Sequence, residues 1–152
     1  MVKSGNKFIN LSNTNAFRMQ HFIGTYECKA DAKGRIMMPV ALKGQLATYL
    51  KGGFVLKRAV FNSCLEFYPM QEWEVLMQKV NSLNRFNKKN NDFIRRFTAG
   101  VKPVEIDASG RLLIPKDLIK YAEIKKEVVI SSAVTILEIW NKNNKEKAID
   151  EA

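Results

Sequence analysis

The sequence predicts a mainly β protein with short helices, an α+β fold, and three observations predict it. The stretch "DAKGRIMMP" at Asp31 to Pro39 returns as "DASGRLLIP" at Asp107 to Pro115, with Asp, Ala, Gly, Arg and Pro at the same offsets. Before each copy, apolar and polar residues alternate, the period of a strand with one buried face. After each copy come a short helical stripe and two apolar runs of strand length. The chain therefore reads as an internal duplication of a strand–turn–strand–helix–strand–strand unit.

In the first unit, Tyr26, Cys28 and Ala30 alternate with Glu27, Lys29 and Asp31. Asp31-Ala32-Lys33-Gly34 supplies turn chemistry. A short carboxylate accepts from backbone N–H groups ahead of it, and glycine takes the positive φ that closes the turn. Arg35-Ile36-Met37-Met38 is expected to return as the partner strand, giving a hairpin. Pro39 ends that strand and suits a first helical position, where its missing N–H would be unpaired anyway. Leu42, Leu46, Tyr49 and Leu50 fall on one helical face, and Gly52-Gly53 stop the helix. Phe54-Val55-Leu56 and Leu65-Glu66-Phe67-Tyr68 read as short strands. Pro69 opens a second helix with Trp73, Leu76, Met77, Val80 and Leu83 as its apolar stripe.

The second unit repeats the programme with shorter loops. Val104 and Ile106 alternate into Asp107-Ala108-Ser109-Gly110, and Arg111-Leu112-Leu113-Ile114 leads out to Pro115. Leu118, Ile119 and Ala122 make the helical stripe, and Val128-Val129-Ile130 and Leu137-Glu138-Ile139-Trp140 the closing strands. Each unit has only about 45 residues, near the size at which an isolated core fails, so the two must share one, within the chain or between chains. Between them, Lys79, Arg85, Lys88, Lys89, Arg95, Arg96 and Lys102 stand against Asp92 alone. Asn90-Asn91-Asp92 is expected to cap a short helix there, with Phe93, Ile94 and Phe97 inward. The divisions are thus a disordered N-terminal extension (1–21), a first unit (22–71), a helical basic linker (72–99), a second unit (100–143) and a frayed polar tail (144–152).

The chain carries 25 Lys+Arg against 15 Asp+Glu, a formal charge of +10, and 46% hydrophobic residues. A folded, strongly basic protein suggests a polyanionic partner, nucleic acid before an anionic membrane surface. Cys28 and Cys64 are too few and too scattered for a disulfide framework or a zinc cluster; both read as core thiols and point to a reducing compartment. No apolar run reaches a membrane span, and the polar N-terminal segment lacks the apolar core of a signal peptide. His21 is the only histidine, and no nucleophile–base arrangement, phosphate-cradling glycine loop or metal-ligand spacing is present. The expectation is a non-enzyme without cofactor or metal.

The ordered set of motifs resembles the MraZ family of bacterial DNA-binding regulators, whose units belong to the swapped-hairpin class of SpoVT/AbrB-like and MazE-like proteins. The residues that carry the resemblance are Phe22-Ile23-Gly24-Thr25-Tyr26, the two Asp-x-x-Gly-Arg turns, Cys64-Leu65-Glu66-Phe67-Tyr68-Pro69 with Glu72-Trp73, and Leu137-Glu138-Ile139-Trp140. They span about Phe22 to Asn141, and residues 1–18 extend beyond the family's usual start. The resemblance implies hairpins that interleave into a β-barrel, one pseudo-symmetric domain per chain, and subunits that join into a ring-like homo-oligomer. It also implies binding of double-stranded DNA at repeated operator boxes upstream of the protein's own operon in the division and cell-wall gene cluster, repression of that operon, and a cytoplasmic, nucleoid-associated location.

Carried onto this chain, Arg35 is a base-reading side chain, since arginine offers paired donors to guanine in the major groove. Lys33 and Lys29 are phosphate contacts, salt-sensitive and without sequence information. Arg111 is a weaker candidate, because Ser109 replaces the tip lysine and Glu105 lies nearby. Asp31, Gly34, Asp107 and Gly110 are read as turn-structural. A purely structural alternative stays open: Asp31 and Arg35 form a salt bridge across the turn, and Asp107 and Arg111 another. The alternative functions are an oligomeric protein-interaction module and an RNA-binding module.

Overall fold

The computed structural model describes residues 21–152; of the extension expected over 1–21, only His21 lies within them. Three prolines set the strand-to-helix junctions. Pro39, Pro69 and Pro115 each hold an extended ψ (145°, 144° and 148°), so each chain segment leaves its strand and enters a helix one residue later. The prolines are caps, one position earlier than expected. The Pro39 carbonyl accepts from Leu42 and Lys43, and that of Pro115 from Leu118 and Ile119.

The elements of the first unit are β1 (Thr25–Lys29), β2 (Arg35–Met37), α1 (Val40–Leu46), β3 (Phe54–Arg58) and β4 (Leu65–Pro69). Then come α2 (Met70–Asn81) and α3 (Lys88–Phe97). The second unit has β5 (Lys102–Val104), β6 (Arg111–Leu113), α4 (Lys116–Ala122), β7 (Glu127–Ala133), β8 (Ile136–Asn141) and α5 (Lys142–Glu151).

The expected hairpin of β1 with β2 does not form. A single bridge, Ala30 to Ile36, and the bond from Asp31 N–H to the Arg35 carbonyl (2.9 Å) are what joins them beside the turn. Instead β1 pairs along its length with β7, and β2 pairs with β6, both strands of the other unit. β5 likewise pairs with β3. The six-stranded antiparallel sheet runs β1-β7-β8-β4-β3-β5, and β2-β6 is a separate ribbon. Exchanging the two units maps this order onto itself, with the pseudo-twofold between β8 and β4 and again between β2 and β6. The units interleave.

A closed β-barrel, however, is absent. The ribbon touches the edges of the large sheet through one bridge on each side, Ala30 to Ile36 and Ile106 to Leu112. Strands of three residues ended by proline cannot extend those bridges into ladders. One core nonetheless fills the space between ribbon and sheet. Ile36, Leu42, Leu46, Phe54, Leu56, Leu65 and Phe67 from the first unit pack in the same cluster as Leu112, Ile114, Leu118, Val128, Ile130, Leu137 and Ile139 from the second. Neither unit owns a core.

Several local expectations are revised. Leu50 is half exposed, because α1 gives way to a tighter 3₁₀ turn at Ala47–Tyr49 that carries it outward. Of the α2 stripe only Val80 is buried outright, while Trp73 packs edge-on against Tyr68 and stacks on Phe97. The cap of α3 is Asn87, whose side chain accepts from Lys89 and Asn90 N–H, not Asn90-Asn91-Asp92 inside the helix. The tail expected to fray is helix α5. Asn141 caps it through Asn144 N–H, Asn144 bonds Glu123, and Ala148 and the Lys145 ammonium lie against Trp140.

Val134 occupies the first position of the two-residue loop between β7 and β8 with φ +65°, a conformation that strains a β-branched residue. Val134 is exposed, so little packing is lost on shortening it. Val134→Gly is expected to stabilise the fold by about 1 kcal/mol, read as a higher denaturant midpoint at unchanged slope. An unchanged or lower midpoint refutes the strain.

Candidate nucleic-acid interface

The two Asp-x-x-Gly-Arg turns share the same hydrogen bonds from their backbone N–H groups. In the first, Asp31 Oδ1 accepts from Lys33 N–H and Arg35 N–H, both at 2.9 Å, and the Asp31 carbonyl accepts from Gly34 N–H at 3.0 Å. In the second, Asp107 Oδ1 accepts from Ser109 N–H (3.0 Å) and Arg111 N–H (2.9 Å), and the Asp107 carbonyl from Gly110 N–H (2.9 Å). The shared device is a carboxylate collecting the orphan N–H groups of a tight turn.

Gly34 and Gly110 stand at φ +82° and +88°, where an L side chain is strained. Space is closed there too. A Cβ on Gly34 would collide with Ile119, and one on Gly110 with Lys43. Each turn glycine is thus covered by the other unit's helix. Its carbonyl also completes the other unit's strand: Ile114 N–H donates to Gly34 and Met38 N–H to Gly110, each at 2.9 Å.

These turns deliver the β2–β6 ribbon with a defined register: Arg35 opposite Leu113, Ile36 opposite Leu112, Met37 opposite Arg111. Alternation sends Ile36 and Leu112 into the core. The other face, carrying Arg35, Met37, Arg111 and Leu113, meets solvent. Arg35 and Arg111 are therefore diagonal neighbours on one exposed surface, about 7–8 Å apart at Cα by strand geometry. The exposed Met37 and Leu113 between them were not anticipated, since an apolar run between Arg and Pro does not say which residue faces which way.

The arginines differ in restraint. Arg35 Nε donates to Asp31 Oδ2 at 2.8 Å, with the side chain 37% exposed. The salt bridge expected under the structural reading exists in the first turn. It ties Nε and leaves the two terminal amino groups without a protein acceptor among the described residues. Arg111 has no such tether: the side-chain partner of Asp107 is the Ser109 hydroxyl, which donates to Oδ1 at 2.8 Å. The expected second salt bridge is absent among the described residues. Lys33 is exposed at the turn tip, its ammonium unpaired among the described residues. Lys29 lies on β1, off the ribbon, 3.9 Å from the cross-strand Glu127 in an exposed pair worth little. Sequence reading missed Lys125 and Lys126, which flank the first turn where the Lys126 carbonyl accepts from Ala30 N–H. No sequence spacing announces that contact.

Cys64 is fully buried, and burial raises its thiol pKa; the half-buried Cys28 is pushed up to about 11 by the same cause. Neither is poised as a nucleophile. Among the described residues no three His, Cys, Asp or Glu side chains group as metal ligands, and no helix is long and apolar enough to cross a membrane.

The family model described as "MraZ protein, putative antitoxin-like" matches residues 21–96 and again 97–152. A protein of Christiangramia forsetii named "Transcriptional regulator MraZ" is 64% identical over 134 residues, 88% of this chain and 86% of its own length. One of the same name from Flavobacterium psychrophilum is 65% identical over 134 residues, covering 88% and 85%. A more distant namesake from Clostridium tetani is 38% identical over 129 residues, covering 85% and 87%.

The turn carboxylates set a pH dependence. Asp31 is held below its ordinary value of 3.8, chiefly by Arg35 N–H and further by the Arg35 guanidinium and Lys33 N–H. Asp107 is lowered chiefly by Arg111 N–H and then by the Ser109 hydroxyl. A depressed carboxyl pKa contributes stability that is present above 3.8 and lost as pH falls through the lower folded value. The Asp31→Asn/Asp107→Asn variant is expected to be less stable than the parent at neutral pH and to lose less on acidification. Parallel stability profiles below about pH 4 would show that the carboxylates carry no such weight.

Proposed function

The chain belongs to the MraZ family, and on that premise we propose that it is a transcriptional regulator that binds double-stranded DNA sequence-specifically through the exposed face of the β2–β6 ribbon. One observation carries the reading: two arginines share the solvent face of a two-stranded ribbon whose other face is the core. A two-stranded ribbon fits the major groove of B-DNA, where a guanidinium matches guanine O6 and N7. The groove of A-form RNA is too deep and narrow for it, which favours DNA over RNA. A diagonal of about 7–8 Å spans roughly two base-pair steps, so Arg35 and Arg111 reach different base pairs.

Arg35 carries most of the recognition. With Nε bound to Asp31, its plane is oriented before DNA arrives and its terminal donors stay unpaired among the described residues, so less side-chain entropy is lost on binding. Lys33 at the tip and Lys29 on β1 meet phosphates, as does the general charge of +10. Arg111, untethered, adds a more adaptable contact. Association of several chains into a ring-like homo-oligomer multiplies this small ribbon by avidity when operator boxes repeat at helical-turn spacing. Occupancy of such boxes upstream of the protein's own operon represses it, and the protein resides on the nucleoid.

Arg35→Ala is expected to weaken binding to a duplex taken from upstream of the protein's own gene by ~1–3 kcal/mol, roughly 5- to 160-fold, with the oligomer unchanged by light scattering. Binding to a scrambled duplex should change far less. Identical affinities of variant and parent at matched salt would remove Arg35 from the interface.

A further inference from the structure

Lys43 departs from the internal symmetry. The two turns agree in backbone and hydrogen bonding but differ at the tip, where Lys33 in the first corresponds to Ser109 in the second. The side chains that cover them differ as well. Ile119 of α4 lies over Gly34, whereas Lys43 of α1 lies over Gly110, each four residues after the helix-opening proline. The second turn lacks a lysine in its own sequence and has one beside it from the opposite unit.

We propose that Lys43 supplies the second turn with the phosphate-binding cation that Ser109 does not, so that both turns meet the DNA backbone with one lysine each. The inference rests on the ribbon being the DNA surface. The Lys43 ammonium lies 2.6 Å from the place a Gly110 Cβ would take, with Cε closer still. A Cβ there would push the end of the lysine aside. Beyond its backbone bond to Pro39, Lys43 makes no side-chain hydrogen bond and no ion pair among the described residues. Asp107, the carboxylate lining the same cleft of about 170 Å³, gathers Arg111 N–H, Ser109 N–H and the Ser109 hydroxyl on Oδ1 and forms no ion pair with Lys43. A half-buried lysine whose side-chain end lies against the Gly110 backbone, with no anion paired to it, is pre-positioned for a phosphate oxygen. Ile119 offers no charge at the first turn, where Lys33 already does.

A merely structural Lys43 would brace Gly110 as Ile119 braces Gly34, and charge would be irrelevant. Salt titrations of binding by the full chain separate the two, using fluorescence anisotropy on the upstream duplex and on a scrambled duplex of equal length. Lys43→Met keeps the packed stem. It is expected to weaken both duplexes by the same factor and to reduce the slope of log K against log salt by about 0.9 per contacting turn. Lys33→Met should do the same, the double variant about twice as much, and Lys43→Arg should restore the parent slope. A parental slope for Lys43→Met beside a reduced one for Lys33→Met overturns the proposal, as does a loss that Lys43→Arg fails to rescue. Should the parent bind neither duplex, or Arg35→Ala and Lys33→Met both be silent, the ribbon reading itself falls and takes this one with it.

Discussion

Everything in this fold depends on a reciprocal hydrogen bond between its two halves. The carbonyl of Gly34 accepts from Ile114 N–H, and that of Gly110 from Met38 N–H, so each turn finishes the other copy's outgoing strand. Ribbons of three residues a side are not stable alone in water. Here the ribbon's inner residues, Ile36 and Leu112, enter a core that both copies line. The turn can form this contact only because its glycine takes a positive φ and carries no side chain where Ile119 or Lys43 must lie. Rigidity at the arginines follows from the same contact: the scaffold under Arg35 includes residues from both units.

Where the copies diverge, the divergence falls on what surrounds the shared frame. On the outer face of the sheet, Lys57 pairs in register with Glu66 and Ser131 with Glu138, at equivalent places of the two halves. Lys57 is fully buried, bonded to Glu66 at 3.1 Å and set over the Phe97 ring, so its desolvation is offset by a carboxylate and an aromatic face. Ser131 is buried as well, but its hydroxyl has no hydrogen-bond partner among the described residues. The helices that follow each unit cover that face differently: α2 and α3 bring Trp73 and Phe97, whereas α5 lays Ala148 and Lys145 against Trp140. The turns show the same pattern. Their hydrogen bonds are kept, while the charges around them, Lys33 against Ser109 and Lys43 against Ile119, have been redistributed.

Much of this was legible along the chain, because it is local. Turn chemistry acts between residues i and i+4, so the roles of Asp31, Gly34, Asp107 and Gly110 could be read from two nine-residue stretches. Alternation located the strands, proline located the helix starts within one residue, and duplication implied a shared core; Gly52-Gly53 placed the end of α1 too late, because the helix gives way to the 3₁₀ turn at Ala47–Tyr49. The errors have local causes too. Asn87 was passed over as a cap because Asn90-Asn91-Asp92 presents the same side chains, and α5 was mistaken for a frayed end because a polar segment does not advertise the Trp140 surface beneath it.

The sequence alone determined that two turns of one pattern exist, that each leads through an arginine into a short apolar strand, and that the chain is a basic α+β protein. It could not determine which strand completes which, since β2 satisfies its backbone equally well with β1 or β6 as far as composition is concerned. That choice is made by burial of apolar area across residues more than seventy positions apart, and it alone puts Arg35 and Arg111 on one surface. The closed barrel failed for the same reason in reverse: ladder length is a tertiary outcome, and here it shrinks to one bridge on each side. Cations brought in from another unit, such as Lys43, are decided at that level as well, because charge acts through space and a chain records only order.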